Sequence, residues 1–380
     1  MILRKIDYHE FKGEPNYWAL KDLTLEKINL LVGKNATGKT NAITKITRLG
    51  NMLAGLRPQL LHSGDYYAEF ADAEDVYKYY LSISRQNVIL EKLEINGDEK
   101  LTRSDDGTGE IYAEELGCKM KFQLSTNHLV IVLRRDAIQH PYLKKLLDWA
   151  NGMRMYAFGS SLGKDIGFST TNINQLVVDP RDPNQVAGLY AKGKQEFAAN
   201  FEKLVISYMK KIDYDLVTIG VAPNQNRMIP VPSWGHINMI HISERDNSAV
   251  LWQHDISQGM FRALSLIVLV TYNILKKLPT TMLIDDIGEG LDFDRSSKLI
   301  QLLMDLAETN DIQLIMSTND RFVMNAVPLE YWQVIQRKGG ECQVFNYKNA
   351  KQKFDEFEYT GLNNFDFLRT DFLNSNWEPV

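Results

Sequence analysis

Residues 33–40 read Gly33-Lys34-Asn35-Ala36-Thr37-Gly38-Lys39-Thr40, which meets the phosphate-loop pattern G-x-x-x-x-G-K-[ST] at every specified position. Its flanks are the ones the motif needs. Upstream, Ile28-Asn29-Leu30-Leu31-Val32 has the length and apolar character of a buried strand. Downstream, Ile43, Ile46, Leu49 and Leu53 recur at helical spacing. A strand, a glycine-bounded loop and a helix N-terminus aim backbone N–H groups at one point, which suits a polyphosphate. In that arrangement the Lys39 ammonium reaches the β- and γ-phosphates, and the Thr40 hydroxyl is a ligand for Mg²⁺. The predicted nucleotide-binding set is Gly33, Lys34, Asn35, Ala36, Thr37, Gly38, Lys39, Thr40 and Asn41.

The 380 residues are 44% apolar, enough for one large domain or two modest ones. The formal charge of −5 gives no electrostatic footprint for nucleic acid; a local basic patch is the remaining route to such a partner. Met1 to Asp7 lacks the continuous apolar core of a signal peptide. The longest apolar run, Ala263 to Leu275, is too short to span a bilayer and reads as a buried helix, so no membrane association and a cytoplasmic location are expected. Cys118 and Cys342 have no paired spacing that would suggest a disulfide framework or a zinc site. The histidines are scattered, and His236 and His241 face opposite ways on any strand they share.

Along the chain, Ile2 to Phe11 and Trp18 to Leu23 read as a hairpin leading into the phosphate-loop strand. A polar gap is expected around Pro58 to Asp65, followed by antiparallel strands at Val76–Ile83 and Val88–Ile95, with hairpin turns at Asn96-Gly97 and Asp106-Gly107. Lys119–Leu124 and Leu129–Leu133 are read as further strands, Pro141 to Trp149 as a helix and Arg154 to Phe158 as a strand. This strand-rich insert is expected to pack with the nucleotide lobe. Gly159 to Gly193 reads as irregular, Gln195 to Lys211 as helix, and His236–Ser243 with Ala249–Trp252 as a hairpin.

A second group of motifs lies toward the C-terminus. Ser257-Gln258-Gly259 precedes the apolar helix, and a Ser-x-Gly at a helix N-terminus is an anion site. The apolar strand Thr281–Ile284 ends in Asp285-Asp286, and a strand-end aspartate is where a phosphate-loop NTPase holds its metal. Gly290-Leu291-Asp292, a helix from Arg295 to Glu308, and the strand Ile312–Met316 ending in Ser317-Thr318-Asn319-Asp320 follow. Each piece alone has a structural explanation as a cap or a solvated face; the order behind a phosphate loop gives them meaning together.

With these motifs in place, the chain resembles the ABC-type ATPase heads of the SMC/RecF/OLD-like group over nearly its whole length, from Ile2 to about Gln336. Within the group it is most similar to compact bacterial ATPases of the RloA kind and to the ATPase half of OLD nucleases. Their insert has a pattern like Ile89-Leu90-Glu91-Lys92-Leu93 and Leu101-Thr102-Arg103. The resemblance implies an α/β fold: a P-loop ABC-ATPase head, a mixed β-sheet flanked by helices, with a strand-rich antiparallel insert and a helical signature lobe. It implies a single domain over 1–380, comprising an N-terminal lobe with insert (1–140), a helical and irregular lobe (141–256), a signature-to-switch segment (257–340) and a C-terminal extension (341–380).

The resemblance also assigns roles. Ser257, Gln258 and Gly259 match the signature loop that contacts the γ-phosphate held by the opposite subunit, Asp285 the metal aspartate, and Asp292 the D-loop aspartate. ATP and Mg²⁺ are the implied ligands, bound between the subunits of a homodimer or higher oligomer. Two positions depart from the family: Asp286 stands where a catalytic Glu is usual, and Asn319 where a switch-loop His is usual. With Lys39 they form the predicted catalytic set. An Asp base is one methylene shorter than Glu, and misplacement by about 1 Å can cost on the order of a hundredfold, so slow hydrolysis is expected. The lobe-linking glutamine of the family is left open between Gln123 and Gln139.

The function this implies is an ATP-gated switch in bacterial anti-phage defence, acting with a separate effector protein. The alternative is a DNA repair or recombination ATPase similar to RecF, against which the acidic balance counts. A self-contained OLD-type nuclease would need an acidic metal-binding domain after Asp320, where Asp355, Glu356 and Glu358 instead lie among Phe and Tyr and read as a solvated face. SMC and long coiled-coil repair ATPases are disfavoured because no heptads run between Lys39 and Ser257, and transporter subunits because of the insert and divergent signature.

Overall fold

Two antiparallel strands, Ile2–Glu10 (β1) and Trp18–Thr24 (β2), lead into the fully buried strand Ile28–Val32 (β3) and the helix Lys39–Leu53 (α1). The structure, a computed structural model, describes residues 1–57, 59–170, 172, 175–223 and 236–374. They fall into two units, one of Met1–Met153 with Pro328–Val380 and one of Arg154–Val327.

In the first unit, Ser63–Asp72 (β4) pairs with β1 and opens an antiparallel meander through Asp75–Ser84 (β5), Asn87–Ile95 (β6), Asp98–Arg103 (β7), Thr108–Ala113 (β8) and Cys118–Gln123 (β9). The insert therefore extends the sheet that carries the phosphate-loop strand. Alternation buries one face, with Tyr77, Tyr79, Leu81 and Ile83 of β5 pointing inward. A short helix, Val130–Leu133 (α2), and a longer one, Pro141–Asn151 (α3), follow. Trp149 of α3 meets Phe70 edge-on at 4.7 Å between ring centroids, and the Tyr142 hydroxyl donates to the Tyr112 carbonyl at 2.7 Å.

The second unit contains Met153–Ala157 (β10), Phe168–Ser169 (β11), Val186–Lys211 (α4), Leu216–Pro223 (β12), Ile237–Glu244 (β13), Asn247–Trp252 (β14) and Gln258–Leu275 (α5). It continues through Thr280–Asp285 (β15), Phe293–Thr309 (α6), Ile312–Ser317 (β16) and Arg321–Ala326 (α7). Strands β15 and β16 are parallel, with β10 beside β15, while β11, β13, β12 and β14 form a separate antiparallel sheet. Among the described residues α5 is the helix long and apolar enough to cross a membrane, and its buried side chains mark it as a core helix.

The chain then returns to the first unit as Trp332–Lys338 (β17), Glu341–Asn346 (β18), Lys351–Glu358 (α8) and Asn364–Arg369 (α9). Strand β17 is parallel to β3 and antiparallel to β18, which is parallel to β2. The strand order of this unit is β3-β17-β18-β2-β1-β4-β5-β6-β7-β8-β9. Phe354, Phe357, Phe367 and Phe372 pack together in the last helices, with Phe354 stacked on Phe367 at 4.7 Å.

Four local readings are corrected. The expected polar gap is cut short, because β4 starts at Ser63; Pro58 lies outside the described residues. Helix α4 starts at Val186 rather than Gln195 and is kinked at Ala198, whose φ of 51° and ψ of −134° are non-helical. Its glycines mask the helix in sequence, and Gly193 is needed because a Cβ there would lie 2.6 Å from the Phe201 ring. β17 and β18 fill a stretch for which no elements are expected. Leu129–Leu133, expected as a strand, contains helix α2.

Glu91 explains the last of these. Its carboxylate, wholly buried, accepts the N–H groups of Val130 at 2.7 Å and Ile131 at 3.1 Å and so holds the start of α2. Arg103, equally buried, lies 3.6 Å from Glu91 and donates to the carbonyls of His128 and, at 3.0 Å, Ser125, while the Tyr79 hydroxyl donates to Glu91 at 3.1 Å. Burial drives the Glu91 pKa upward, against the bonds that favour its charge. Breaking such a pair strands a buried charge, so Arg103→Met should destabilise the protein by about 3 kcal/mol in urea unfolding. The double variant Glu91→Leu/Arg103→Met should not recover that loss, because two buried backbone N–H groups then lose their acceptor. A double variant as stable as the parent would show that Glu91 does not hold α2.

Candidate nucleotide site

In the first unit, β3 delivers the chain to a loop whose shape depends on missing Cβ atoms. Gly33 has φ +156°, and a Cβ on it would lie 2.6 Å from the Ile335 carbonyl oxygen. Gly38 has φ +107°, and its Cβ would lie 2.9 Å from the Cys342 sulfur. Ala36 holds φ +62° without being glycine, and Arg337 donates to its carbonyl at 3.3 Å. The Cys342 thiol donates to the Thr37 carbonyl at 3.1 Å.

Lys39 is buried, and its ammonium folds back onto the loop carbonyls of Gly33 at 2.9 Å and Lys34 at 3.2 Å. It thus ties the two ends of its own loop segment, Gly33 and Lys34 on one side and the first turn of α1 on the other. Lys34, Asn35, Ala36, Thr40 and Asn41 are exposed, so the Thr40 hydroxyl sits on an open first turn of α1. A cleft of about 210 Å³ runs beside the loop, lined by Gly33, Lys34, Thr37, Gln336, Arg337 and Asp371 among others.

The second unit gathers the acidic residues. Asp285 is buried at the end of β15, and Asp286 follows at φ +55°, half-buried. Ser317, at the end of β16, joins them: its hydroxyl donates to an Asp285 carboxylate oxygen and accepts the Asp286 N–H at 3.0 Å. The Asn319 amide donates to Asp286 Oδ1 at 3.3 Å. The two positions that depart from the pattern of the ATPases the sequence resembles therefore touch each other. The next residues are tied to the same strand end, Ile287 N–H to the Ser317 carbonyl and the Thr318 hydroxyl to the Ile287 carbonyl, both at 2.9 Å.

Ser257 is exposed and caps α5, its hydroxyl accepting the Met260 N–H at 3.3 Å, while Gln258 donates to the Ser160 carbonyl at 3.3 Å. A Cβ on Gly259 would lie 2.4 Å from the Gly290 carbonyl oxygen, so the backbones touch at these two residues. Asp292 caps α6, accepting the Arg295 N–H at 3.0 Å and pairing with its guanidinium at 2.7 Å. Those contacts, the backbone N–H foremost, hold its carboxyl below the usual range.

Among the described residues no three His, Cys, Asp or Glu side chains group as a metal site. The exposed hydroxyl of Thr40 in the first unit and the braced carboxylate of Asp285 in the second are nevertheless each, taken alone, a ligand type that Mg²⁺ accepts beside phosphate and water. Ser317, Arg337 and Cys342 went unrecognised as functional in sequence. Ser317 had a signal, a hydroxyl at the end of a buried strand opposite two acids; the other two had none.

No protein-family model matches the sequence, and no curated protein matches it. Among solved structures, the chain is similar to an SMC head bound to the C-winged helix domain of ScpA, at 13% identity and TM-score 0.54, over 93% of this chain and 100% of that one. Two others are an SMC head domain from Thermotoga maritima (13% identity, 91% and 99% covered, TM-score 0.45) and a Pyrococcus furiosus Smc head with an extended coiled coil bound to the C-terminal domain of ScpA (11%, 94% and 99%, TM-score 0.49). The first likeness gives the fold: a mixed α/β sheet flanked by helices, like that of the SMC head.

The loop geometry is open to a direct test. Gly38→Ala adds a strained dihedral and a clash with Cys342 and should lower stability by about 1–3 kcal/mol in urea unfolding. Adding Cys342→Ala removes the clash but not the dihedral, so only part of the loss should return. Full recovery would show that backbone strain plays no part.

Proposed function

We propose that the chain is an ATP-binding, slowly hydrolysing ABC-type ATPase of 380 residues forming one head domain. It acts as a nucleotide-gated dimeric switch in the bacterial cytoplasm, in anti-phage defence with a separate effector protein. The observation that carries the nucleotide reading is the phosphate loop itself: strand, turn bounded by Gly33 and Gly38, buried Lys39 and exposed Thr40 in sequence and in space. The likeness to an SMC head supports the ABC type. The defence role and the effector rest on the resemblance to RloA-like ATPases. The formal charge of −5 makes the DNA-binding alternative the weaker one.

In this reading the loop N–H groups and Lys39 hold the β- and γ-phosphates. Thr40 and Asp285 would hold Mg²⁺, which when bound neutralises charge on the phosphate oxygens. Asp286 accepts a proton as water attacks the γ-phosphorus and the bond to the β,γ-bridging oxygen breaks. Asn319 orients that carboxylate through the 3.3 Å bond but carries no charge toward the phosphate, in keeping with slow turnover. Ser257 and Gly259, at the N-terminus of α5, face the nucleotide of a second copy.

Asp286→Asn should retain ATP binding and lose turnover by about 10²–10⁴-fold, whereas Asp286→Glu should keep or raise it. Equal turnover in the parent and Asp286→Asn would place the base elsewhere. Lys39→Ala should weaken ATP binding on the order of 100-fold by calorimetry with the fold intact by circular dichroism. Ser257→Arg should bind ATP yet fail to hydrolyse it. Mixing those two variants leaves one composite site with both defects and one with neither, so activity should reappear; no recovery, or full activity in a strictly monomeric preparation, would sink the dimeric switch.

A further inference from the structure

Arg262 sits in α5 just beyond the signature residues, with 9% of its surface exposed. Its guanidinium makes three hydrogen bonds, and every acceptor is a backbone carbonyl. Nε donates to Ser160 at 3.0 Å, Nη1 to Glu289 at 2.8 Å, and Nη2 to Gly159. Gly290, at φ +81°, leaves room for it, since a Cβ there would lie 2.8 Å from Nη1. On the other side of that residue, the Gly290 carbonyl rests against Gly259. One side chain thus binds the loop after β10 and the loop between Asp286 and Asp292 to the helix that starts at Ser257.

A carboxylate partner would satisfy an arginine at any position along a flexible loop. Three carbonyls from two segments can be met together only by a planar fork with donors on several nitrogens. The contact also reads backbone position rather than side-chain identity, which is what holding a loop in register requires.

We infer that Arg262 is a positioning residue that locks the signature helix and the 287–291 loop into one body, so that Ser257 and Asp286 move together. The inference rests on the ATPase reading for its consequence but not for its geometry. When an anion engages the N-terminus of α5, the displacement is passed through Arg262 and Gly290 to the loop that follows Asp286. The carboxylate is then set for reaction only when the signature is engaged.

The test uses the full chain with Arg262→Lys and Arg262→Gln. Hydrogen exchange without nucleotide is followed at Ile287 and Leu291, whose N–H groups bond to the carbonyls of Ser317 and Gly288. Exchange there should rise at least about tenfold in Arg262→Gln while the rest of β15, β16 and α5 stays protected, a local opening. ATP affinity by calorimetry should stay within about twofold, and kcat should fall on the order of a hundredfold, the cost of misplacing a reacting group by about 1 Å. Arg262→Lys, which keeps the charge but not the fork, should recover only part of kcat. Gly290→Ala, which crowds Nη1 without touching the charge, should reproduce the local exchange. Uniform exchange along the whole unit, with kcat falling only as the folded fraction falls, would overturn the proposal, as would unchanged exchange at Ile287 and Leu291. If the parent chain shows no turnover but the exchange pattern holds, the clamp stands and the ATPase reading fails.

Discussion

The nucleotide loop depends on the approach of one backbone to another. In the parallel pairing of β3 with β17, Val32 lies opposite Val334, and the next residue of β17, Ile335, presents its carbonyl where a Cβ on Gly33 would be. No side chain fits between them. Cys342 on β18 closes the other end beneath Gly38, and Arg337 fastens the carbonyl of the left-handed Ala36. A non-glycine residue in that conformation costs on the order of 1 kcal/mol or more, and it persists because its surroundings over-determine it. The anion site is therefore tertiary in origin. Residues from the start and the end of the chain must pair before the loop takes its shape, and pairing at such sequence separation is slow to form.

The acid pair follows a different logic. Asp285 and Asp286 are adjacent in sequence and would repel each other if both faced one way. The left-handed φ of Asp286 turns the chain after β15, and Ser317 works both sides of the turn, donating to Asp285 and accepting from the Asp286 backbone. One hydroxyl thus fixes a carboxylate suited to a metal and a backbone that sends the second carboxylate toward Asn319. The Asn319 amide meets the short Asp286 side chain at 3.3 Å, the long end of useful hydrogen-bond range. Under the proposed reading, that geometry suits a site that holds its nucleotide longer than it turns it over.

How much of this was legible in sequence depends on whether the information was local. The phosphate loop, β15 with its acids, and α5 behind Ser257 could be read because each is a contiguous run with a period or a fixed spacing. The helix at Val130–Leu133 could not: its apolar residues have no period that separates four residues of helix from strand, and its N-terminus is held by Glu91, far away in the chain. The first turns of α4 were hidden by Gly188 and Gly193, whose cost in a helix is offset by close packing, of Val178 against Gly188 and of Phe201 against Gly193. β17 and β18 carried readable apolar residues but no motif, and the importance of Ile335, Arg337 and Cys342 lies wholly in what they touch. Arg262 sat in plain view within the signature helix, yet nothing in the order of residues says that its partners are three carbonyls.

The residues singled out in the sequence fall in two units, each braced by contacts of its own. The loop from Gly33 to Thr40 belongs to the first, where β17 and β18 brace it; Ser257, Asp285, Asp286 and Asn319 belong to the second, where Ser317 holds Asp285 and Arg262 holds the Glu289 carbonyl. The two sets therefore rest on separate hydrogen bonds. Changes at Ser317, Asn319 or Arg262 alter the second set without altering the loop of the first, so under the proposed ATPase reading turnover can be retuned apart from nucleotide capture.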